Sequence, residues 1–381
     1  MLADGLRVSV KSEDTKRNHV SGSGEIQMKE FNMQEDNTGQ EPLIFYCYEQ
    51  MTDIEAFCRL AEEKFHAAGH RRPIEFRRYD CYEKAPERDG DLYVFDGMVL
   101  SAYAAQGLIR EIPEKMVGDD VFEWVRDGSF YENRMYGIPF IVCTDVLISR
   151  KEDDIPIRNI YDIKEEISAM MRPMLAEYYL FAYFNSPHKG DGALKGLRYL
   201  NKLVGGRKAL KDPEKAEAES RERFIRKQCR FLLGFSEVLR FLPREDYVLR
   251  RANISDGSAV ELPFFYVNYV SIGAGTPREK LADCEAMLAV IASDEFVMEF
   301  AEDHGKMRYI LPAKASLYEE LMKKDDLYRQ LYKITADQNN CVLRCGKNFY
   351  EEYPKKAEEL LKFLSRPERK KGLKYKGQRQ K

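Results

Sequence analysis

The sequence lacks the hallmarks of several large functional classes. No stretch is long and apolar enough to span a membrane. The formal net charge of -3 gives no electrostatic reason to expect nucleic-acid binding. No Cys-x-x-Cys pair occurs, no His/Cys cluster has zinc spacing, and the histidines show no catalytic spacing. We therefore expect a protein that acts on a small molecule without a metal, a cofactor, a membrane or a nucleic acid.

The cysteines and the chain ends bear on the compartment. Eight cysteines are spread along the chain, which favours reduced thiols in a reducing compartment. Residues 1–42 are polar and lack the apolar core of a signal peptide. We expect a disordered leader there and a cytoplasmic protein, or a secreted one if the true start is Met28 or Met33. Residues 366–381 are strongly basic and are predicted to form a disordered, solvated tail on a monomer.

Strand and helix patterns alternate in the first part of the chain. Leu43 to Tyr48 is an apolar strand pattern, followed by Thr52 and Glu55 in the spacing of a capping box before an amphipathic helix. Further strands are predicted at Ile74 to Tyr79 and Asp91 to Phe95. Strands that alternate with helices indicate a mostly parallel sheet, and therefore an α/β fold.

The second part of the chain suggests two lobes. Tyr136 to Arg150 is too long for one ordinary strand and is predicted to cross between domains, and Leu262 to Ile272 is a second long extended segment. Helices are predicted at Ile160 to Met171, near Leu175 to Phe184, at Asp191 to Val204, after a Ser236 cap and at Tyr318 to Ile334. The 381 residues, 44% of them apolar, suffice for two lobes with a central ligand cleft, as in solute-binding proteins. The predicted division is lobe 1 at 43–142 plus 273–330 and lobe 2 at 143–272 plus 331–365.

Cys143 and Glu237 are the strongest candidates for chemistry. Each ends an apolar run, and a thiol with a nearby carboxylate can form a nucleophile and its general base. Each also has an ordinary interpretation on its own. A lone Cys143 is typical of a small buried apolar residue, and a lone Glu237 is typical of the first turn of a helix, where it favours the dipole.

The segments around these two residues resemble the type I thiaminases (thiamine pyridinylases). The resemblance covers roughly Leu43 to Leu364 and is carried by segments in the order and spacing of that family. They are Asp91-Leu92-Tyr93-Val94-Phe95-Asp96, the Tyr136 to Arg150 run, Gly196-Leu197-Arg198-Tyr199-Leu200, Gly234-Phe235-Ser236-Glu237, Leu262-Pro263-Phe264-Phe265-Tyr266 and Tyr309-Ile310-Leu311-Pro312-Ala313. The resemblance implies a bilobed fold of the type 2 periplasmic binding proteins. It also implies an activity that replaces the thiazolium of thiamine with another base.

The resemblance also implies roles for individual residues. Cys143 matches the nucleophile that attacks C6 of the pyrimidine, and Glu237 matches the general acid/base. Asp96 matches a residue that hydrogen-bonds the aminopyrimidine, although its simpler role is to cap the next helix. Aromatic and polar positions expected around the substrate are Tyr46, Tyr48, Tyr82, Tyr266 and Asn268. Strand aromatics are also common in ordinary cores.

Two departures from the family pattern leave the substrate open. Asn268 stands where the family has an aspartate, and Phe235 replaces a tyrosine. We therefore keep three hypotheses: a thiaminase-like transferase, a solute- or vitamin-binding protein of the same fold, and a hydrolase of another aminopyrimidine. The acceptor would be a nucleophilic base or water.

Overall fold

The computed structural model describes residues 40–157, 160–169, 198–199, 201–203, 213–251 and 264–365. Its strands build two main sheets. The strands of the first sheet are β1 (Leu43–Tyr48), β2 (Ile74–Tyr79), β3 (Leu92–Asp96), β6 (Ile138–Cys143), β11 (Phe264–Ile272), β14 (Leu311–Pro312) and β15 (Cys341–Val342). Those of the second are β7 (Asp145–Arg150), β8 (Ile167–Ala169), β9 (Phe231–Phe235) and β10 (Tyr247–Arg251). The first sheet has the order β14-β6-β11-β3-β1-β2, with β15 paired to β11, and the second has the order β10-β7-β9-β8.

Helices and two small hairpins surround these sheets. The α-helices are α1 (Ile54–Ala67), α2 (Leu100–Ala105), α3 (Glu123–Gly128), α4 (Pro213–Ile225), α5 (Arg278–Ile291), α6 (Asp294–Phe300), α7 (Leu317–Lys324), α8 (Leu327–Thr335) and α9 (Phe349–Ser365). The hairpins are β4 (Phe130–Tyr131) with β5 (Arg134–Met135), and β12 (Glu302–Asp303) with β13 (Lys306–Met307). No helix in the described ranges combines the length and the apolar content needed to cross a bilayer.

The start of the first sheet agrees with the sequence patterns. β1 pairs in parallel with both β2 and β3, as the alternation of strands and helices predicts. The helix between β1 and β2 presents Phe57 to the core, where its ring contacts the rings of Phe140, Phe296 and Phe300. The helix ends just before Gly69, whose φ of +95° suits glycine and ends the helical conformation.

The predicted crossing between the two sheets is confirmed. The Tyr136 to Arg150 run forms two strands, because Cys143 ends β6 in the first sheet and Asp145 begins β7 in the second. Both strands are almost wholly buried, which explains why the sequence reads as one apolar run. The chain therefore changes sheets at Thr144.

The sheets divide the chain differently from the predicted lobes. The prediction places 264–272 in lobe 2, but β11 pairs with β3 on one side and β6 on the other, in the centre of the first sheet. The segment after 331 is also split, because β15 pairs with β11, whereas the Ile334 carbonyl oxygen of α8 accepts from Arg251 of β10 at 3.1 Å. A long aromatic strand buried on both faces belongs in the centre of a sheet rather than in a connection.

Four local predictions on helices are wrong. The Thr52 capping box is not formed, because α1 begins after Asp53, whose φ is +51°, and no side chain caps it. Ser236 likewise caps nothing and begins a 3-10 helix, Ser236–Phe241. The predicted helix at Ile160 to Met171 is instead a 3-10 turn at Ile160–Asp162 followed by the strand β8. In place of one helix from Tyr318 to Ile334, the chain forms α7 and α8. The helices predicted near 175–184 and for most of 191–204 lie outside the described residues.

Candidate active site

Cys143 lies where the two sheets meet. It is the last residue of β6 and stands opposite Tyr266 of β11 in the strand register. The five residues before it in β6 are buried, so the strand is held firmly, while the Cys143 side chain itself is only partly buried. A fixed backbone with an accessible side chain is the arrangement that a nucleophile needs.

Glu237 reaches the same point from the second sheet. β9 pairs with β7 so that Phe235 stands opposite Asp145, and Glu237 follows in the 3-10 helix. Cys143 Sγ and Glu237 Oε1 are 3.7 Å apart, with the thiol as the hydrogen-bond donor. The structure thus brings together two residues that are 94 positions apart in the sequence.

The electrostatics of the pair favour a neutral thiol at rest. Burial, followed by the negative charge of Glu237, raises the pKa of Cys143 well above its ordinary value. Burial also raises the pKa of Glu237. The charges that act most on the thiol belong to Glu237, Asp145 and Asp96, and all of them are negative. The environment therefore does not stabilise a preformed thiolate, and the thiol needs a base that takes its proton as it reacts.

Two hydroxyl groups hold the Glu237 carboxyl group. Thr52 Oγ1 lies 3.2 Å from Oε1, and Ser236 Oγ lies 3.2 Å from Oε2. Sequence reasoning missed both contacts, because both hydroxyls have positions typical of helix caps. The only local signal was the position of Ser236 directly before Glu237, and nothing in the sequence connects Thr52 to this site.

Polar side chains gather at the adjoining edge of the first sheet. Asp96 and Asn268 stand opposite each other on β3 and β11. The Tyr48 hydroxyl hydrogen-bonds Asn268 Oδ1, and the Tyr82 hydroxyl lies 3.1 Å from Asp96 Oδ2. The other Asp96 oxygen accepts a 2.8 Å bond from the Met98 amide, so the capping role predicted for Asp96 is present as well.

Asp96 is poised to exchange a proton near neutral pH. Its side chain is almost fully buried, and burial raises its pKa to about 7. A carboxyl group in this state can either donate or accept a hydrogen bond toward a heterocycle. The edge that carries Asp96, Asn268, Tyr48 and Tyr82 can therefore recognise a polar flat ring beside the thiol.

The remaining two predicted aromatic positions differ in their surroundings. Tyr266 stands next to the thiol in register and packs edge-to-face on Phe235, with ring centroids 5.7 Å apart. The Tyr46 ring instead stacks on Tyr93, and its hydroxyl hydrogen-bonds Asp89 at 2.9 Å. No contact of Tyr46 with the Asp96 edge or with Cys143 is found within the described ranges. In that same part of the chain, no group of three or more His, Cys, Asp or Glu side chains could hold a metal ion.

Comparisons with known proteins find similarity to thiaminase I. No protein-family model matches the chain. Thiaminase-1 of Paenibacillus thiaminolyticus is 25% identical over 312 residues, which are 72% of this chain and 76% of that protein. The chain is homologous to thiaminase I. The structure of Clostridium botulinum thiaminase I in complex with thiamin superposes with a TM-score of 0.74 at 23% identity, covering 85% of this chain and 100% of the other.

The fold of this chain is also similar to that of a binding protein. The Thermus thermophilus maltotriose binding protein bound with maltotriose aligns with a TM-score of 0.59 at 12% identity, covering 86% of this chain and 95% of that one. The predicted fold class is confirmed: the chain has the two-lobed α/β fold of the type 2 periplasmic binding proteins, which thiaminase I also has. Cys143 and Glu237 lie where the two sheets of this fold meet.

Proposed function

We propose that the protein is a thiaminase-type transferase. It cleaves the bond between the methylene carbon and the thiazolium of thiamine or a related aminopyrimidine. It then passes the pyrimidinylmethyl group to a nucleophilic base or to water. The observation that carries this proposal is the 3.7 Å contact between the Cys143 thiol and the Glu237 carboxyl group at the junction of the sheets. The homology to thiaminase-1 supports the same reaction class.

The proposed reaction assigns a separate task to each residue. Cys143 sulfur forms a bond to C6 of the pyrimidine while Glu237 Oε1 takes the thiol proton. The electron pair that enters the ring then breaks the bond between the methylene carbon and the thiazolium, which leaves as neutral thiazole. The acceptor adds to the methylene carbon, the bond between sulfur and C6 breaks, and the proton returns from Glu237 to sulfur.

The aromatic and polar edge provides the pyrimidine site. Tyr266 offers a flat face beside the thiol, and a flat ring binds such faces by stacking. Asp96 and Asn268 supply hydrogen bonds in the plane of the heterocycle. Tyr48 and Tyr82 hold these two side chains in place. Preorganised partners of this kind orient C6 toward the sulfur and reduce the entropic cost of attack.

Arylation of the thiol tests the nucleophile and its base together. We expect 4-amino-6-chloro-2,5-dimethylpyrimidine to add one pyrimidine to the protein, because Cys143 sulfur displaces chloride from C6. Intact-protein mass spectrometry with peptide mapping would place the adduct on Cys143. The same incubation of Glu237→Gln should give no adduct on this timescale.

The same experiment separates the enzyme from a binding protein. Labelling scattered over several cysteines, or no labelling, would contradict an activated Cys143. Tight pyrimidine binding that Glu237→Gln leaves unchanged, with no turnover, would then identify a vitamin-binding protein of this fold.

Asn268 favours a second candidate substrate class. Its Oδ1 accepts from the Tyr48 hydroxyl, and its amide nitrogen makes no hydrogen bond within the described residues. That nitrogen presents a donor where a carboxylate would present an acceptor. A ligand with a ring carbonyl would satisfy this donor better than the amino group of thiamine. The alternative is thus a related reaction, including hydrolysis, on an oxo-substituted pyrimidine.

Asn268→Asp tests this substrate preference. We expect the variant to raise kcat/KM for thiamine relative to its 4-oxo analogue by about 10- to 100-fold, the value of one charged hydrogen bond. Steady-state kinetics with both compounds measure the ratio, and Asn339→Asp, at an exposed position, is the control. An unchanged ratio would show that Asn268 does not select the ring substituent.

A further inference from the structure

Two hydroxyl groups, those of Thr52 and Ser236, contact the Glu237 carboxyl group and can donate hydrogen bonds to it. Thr52 follows β1 in the first sheet, and Ser236 follows β9 in the second, so the carboxyl group is held from both sides. Thr52 contacts Oε1, the oxygen that also faces the Cys143 thiol, while Ser236 contacts Oε2. The two oxygens of Glu237 therefore have different surroundings.

Ser236 has one hydrogen and two candidate acceptors. Its Oγ lies 2.7 Å from the Tyr309 carbonyl oxygen and 3.2 Å from Glu237 Oε2. A carbonyl oxygen and an ionised carboxylate can both only accept, so the single Ser236 hydrogen goes to one of them at a time, and we assign it to the shorter contact, with Tyr309. The side chain is fully buried, so solvent does not provide another partner. The contact between Oγ and Oε2 then contains a hydrogen only when Glu237 carries a proton on Oε2.

The Tyr309 carbonyl is held in place at some energetic cost. Tyr309 has a φ of +56°, in the left-handed region that a bulky residue rarely adopts because of steric strain. Its side chain is fixed at both ends: the hydroxyl donates to Asp325 at 2.7 Å, and the ring stacks on Tyr328 with centroids 5.7 Å apart. A strained backbone that the surroundings hold firmly is typical of a functional site. The Tyr309 carbonyl oxygen is therefore a fixed acceptor beside Ser236.

Thr52 favours the ionised form of Glu237, whereas Ser236 favours its acid form. Its hydroxyl donates to Glu237 Oε1 at 3.2 Å, a bond that favours the ionised carboxylate. The turn that carries Thr52 is held against the 3-10 helix because Asp53 Oδ1 accepts from Arg240 Nη2 at 3.2 Å. Thr52 thus reaches Glu237 from the other sheet through a turn that is fixed by an ion pair.

We propose that Ser236 and Thr52 are positioning residues that give the two oxygens of Glu237 different protons to hold. In the resting acid form, Ser236 accepts the proton on Oε2, away from the thiol. Once that proton is lost to solvent, Oε1, which Thr52 contacts, takes the proton of Cys143 and later returns it to the sulfur. The inference rests on the proposed roles of Cys143 and Glu237. Its consequence is that the loss of the two hydroxyls shifts the protonation of Glu237 in opposite directions.

The other titratable groups around Glu237 are the same in the native protein and in variants that lack either hydroxyl. They are Cys143 of β6, Tyr328 of α8, Arg240 of the same 3-10 helix, and Asp53 with Arg308, whose Nε lies 3.6 Å from the Asp53 carboxylate. Neither Ser236→Ala nor Thr52→Val changes a charge. A shift in the titration of Glu237 therefore reports the hydroxyl that was removed.

The test is a direct titration of Glu237 in the full chain. Infrared difference spectra across pH show the carbonyl band of a protonated carboxyl group, and Glu237→Gln identifies the band by its loss. We expect Ser236→Ala to lower the pKa of Glu237 by about one unit, since it removes an acceptor from the acid form. We expect Thr52→Val to raise it by about one unit, since it removes a donor to the carboxylate.

Matched variants keep the test decisive. Thr52→Ser keeps the hydroxyl and should restore the original titration, and Ser236→Gly should repeat the effect of Ser236→Ala if the alanine variant folds poorly. A rise in the pKa with Ser236→Ala would overturn the inference, because it would make Ser236 an ordinary donor to the carboxylate. An unmoved titration in both variants would overturn it as well. The measurement needs no substrate, so a failure to consume thiamine with the expected shifts would count against the proposed function alone.

Discussion

Cys143→Ser is expected to reduce thiamine turnover by at least about 10⁴-fold. The hydroxyl that replaces the thiol is a much weaker nucleophile, and Glu237 cannot ionise it to a useful extent at neutral pH. The change is nearly isosteric at a partly buried position, so the fold should remain intact. The residual rate should equal that of Cys143→Ala, because serine then contributes no chemistry of its own.

A second thiol provides the control for this variant. Cys341 is also partly buried and lies in β15, which pairs with β11 of the same sheet. Cys341→Ser should keep full activity, and thermal unfolding should confirm that both variants fold. Rates are measured as the release of thiazole under saturating substrate. More than about one per cent residual activity in Cys143→Ser would rule out the sulfur as the attacking atom.

The start of the first sheet was predictable because β1, β2 and β3 are regular strands that lie close together in the sequence. β1 and β2 were predicted to the residue, since each is an apolar or aromatic run of ordinary strand length. The change of sheet at Thr144 was also predictable, because the run from Tyr136 to Arg150 exceeds the length of a single strand. The helix predicted at Ile160 to Met171 was wrong, since apolar spacing over a short segment does not distinguish a helix from an edge strand such as β8.

The surroundings of Glu237 could not be predicted from local sequence patterns. A serine or threonine before a helix pattern predicts a cap, and this is correct for Ser293, whose hydroxyl accepts from the Phe296 amide. Thr52 and Ser236 have the same local pattern, but their hydroxyls are used by groups distant in sequence. Only the packing of the two sheets shows that these hydroxyls are not caps. Local patterns could not place β11 in the centre of the first sheet for the same reason, since strand pairing is a long-range property.

Glu237→Gln is expected to lower kcat by about 10²- to 10⁴-fold while substrate binding is retained, as for loss of a general base. The glutamine keeps an oxygen that can accept from Thr52 and an amide that can donate to Ser236, so the local structure should persist. What disappears is the group that takes the thiol proton. Glu299→Gln, at a surface carboxylate paired with Lys64, is the control and should be fully active.

The pH dependence gives this variant a signature that a simple loss of structure would not produce. In the native protein the base must be ionised, so the rate rises with pH through the pKa of Glu237, which burial places above its ordinary value, and then levels off. In Glu237→Gln, only the thiolate that forms without help can react. Burial keeps the pKa of Cys143 high, so the residual rate should rise about tenfold per pH unit without a plateau up to pH ~9. A residual rate that levels off at the native pH would mean that another group serves as the base, and that Glu237 does not activate Cys143.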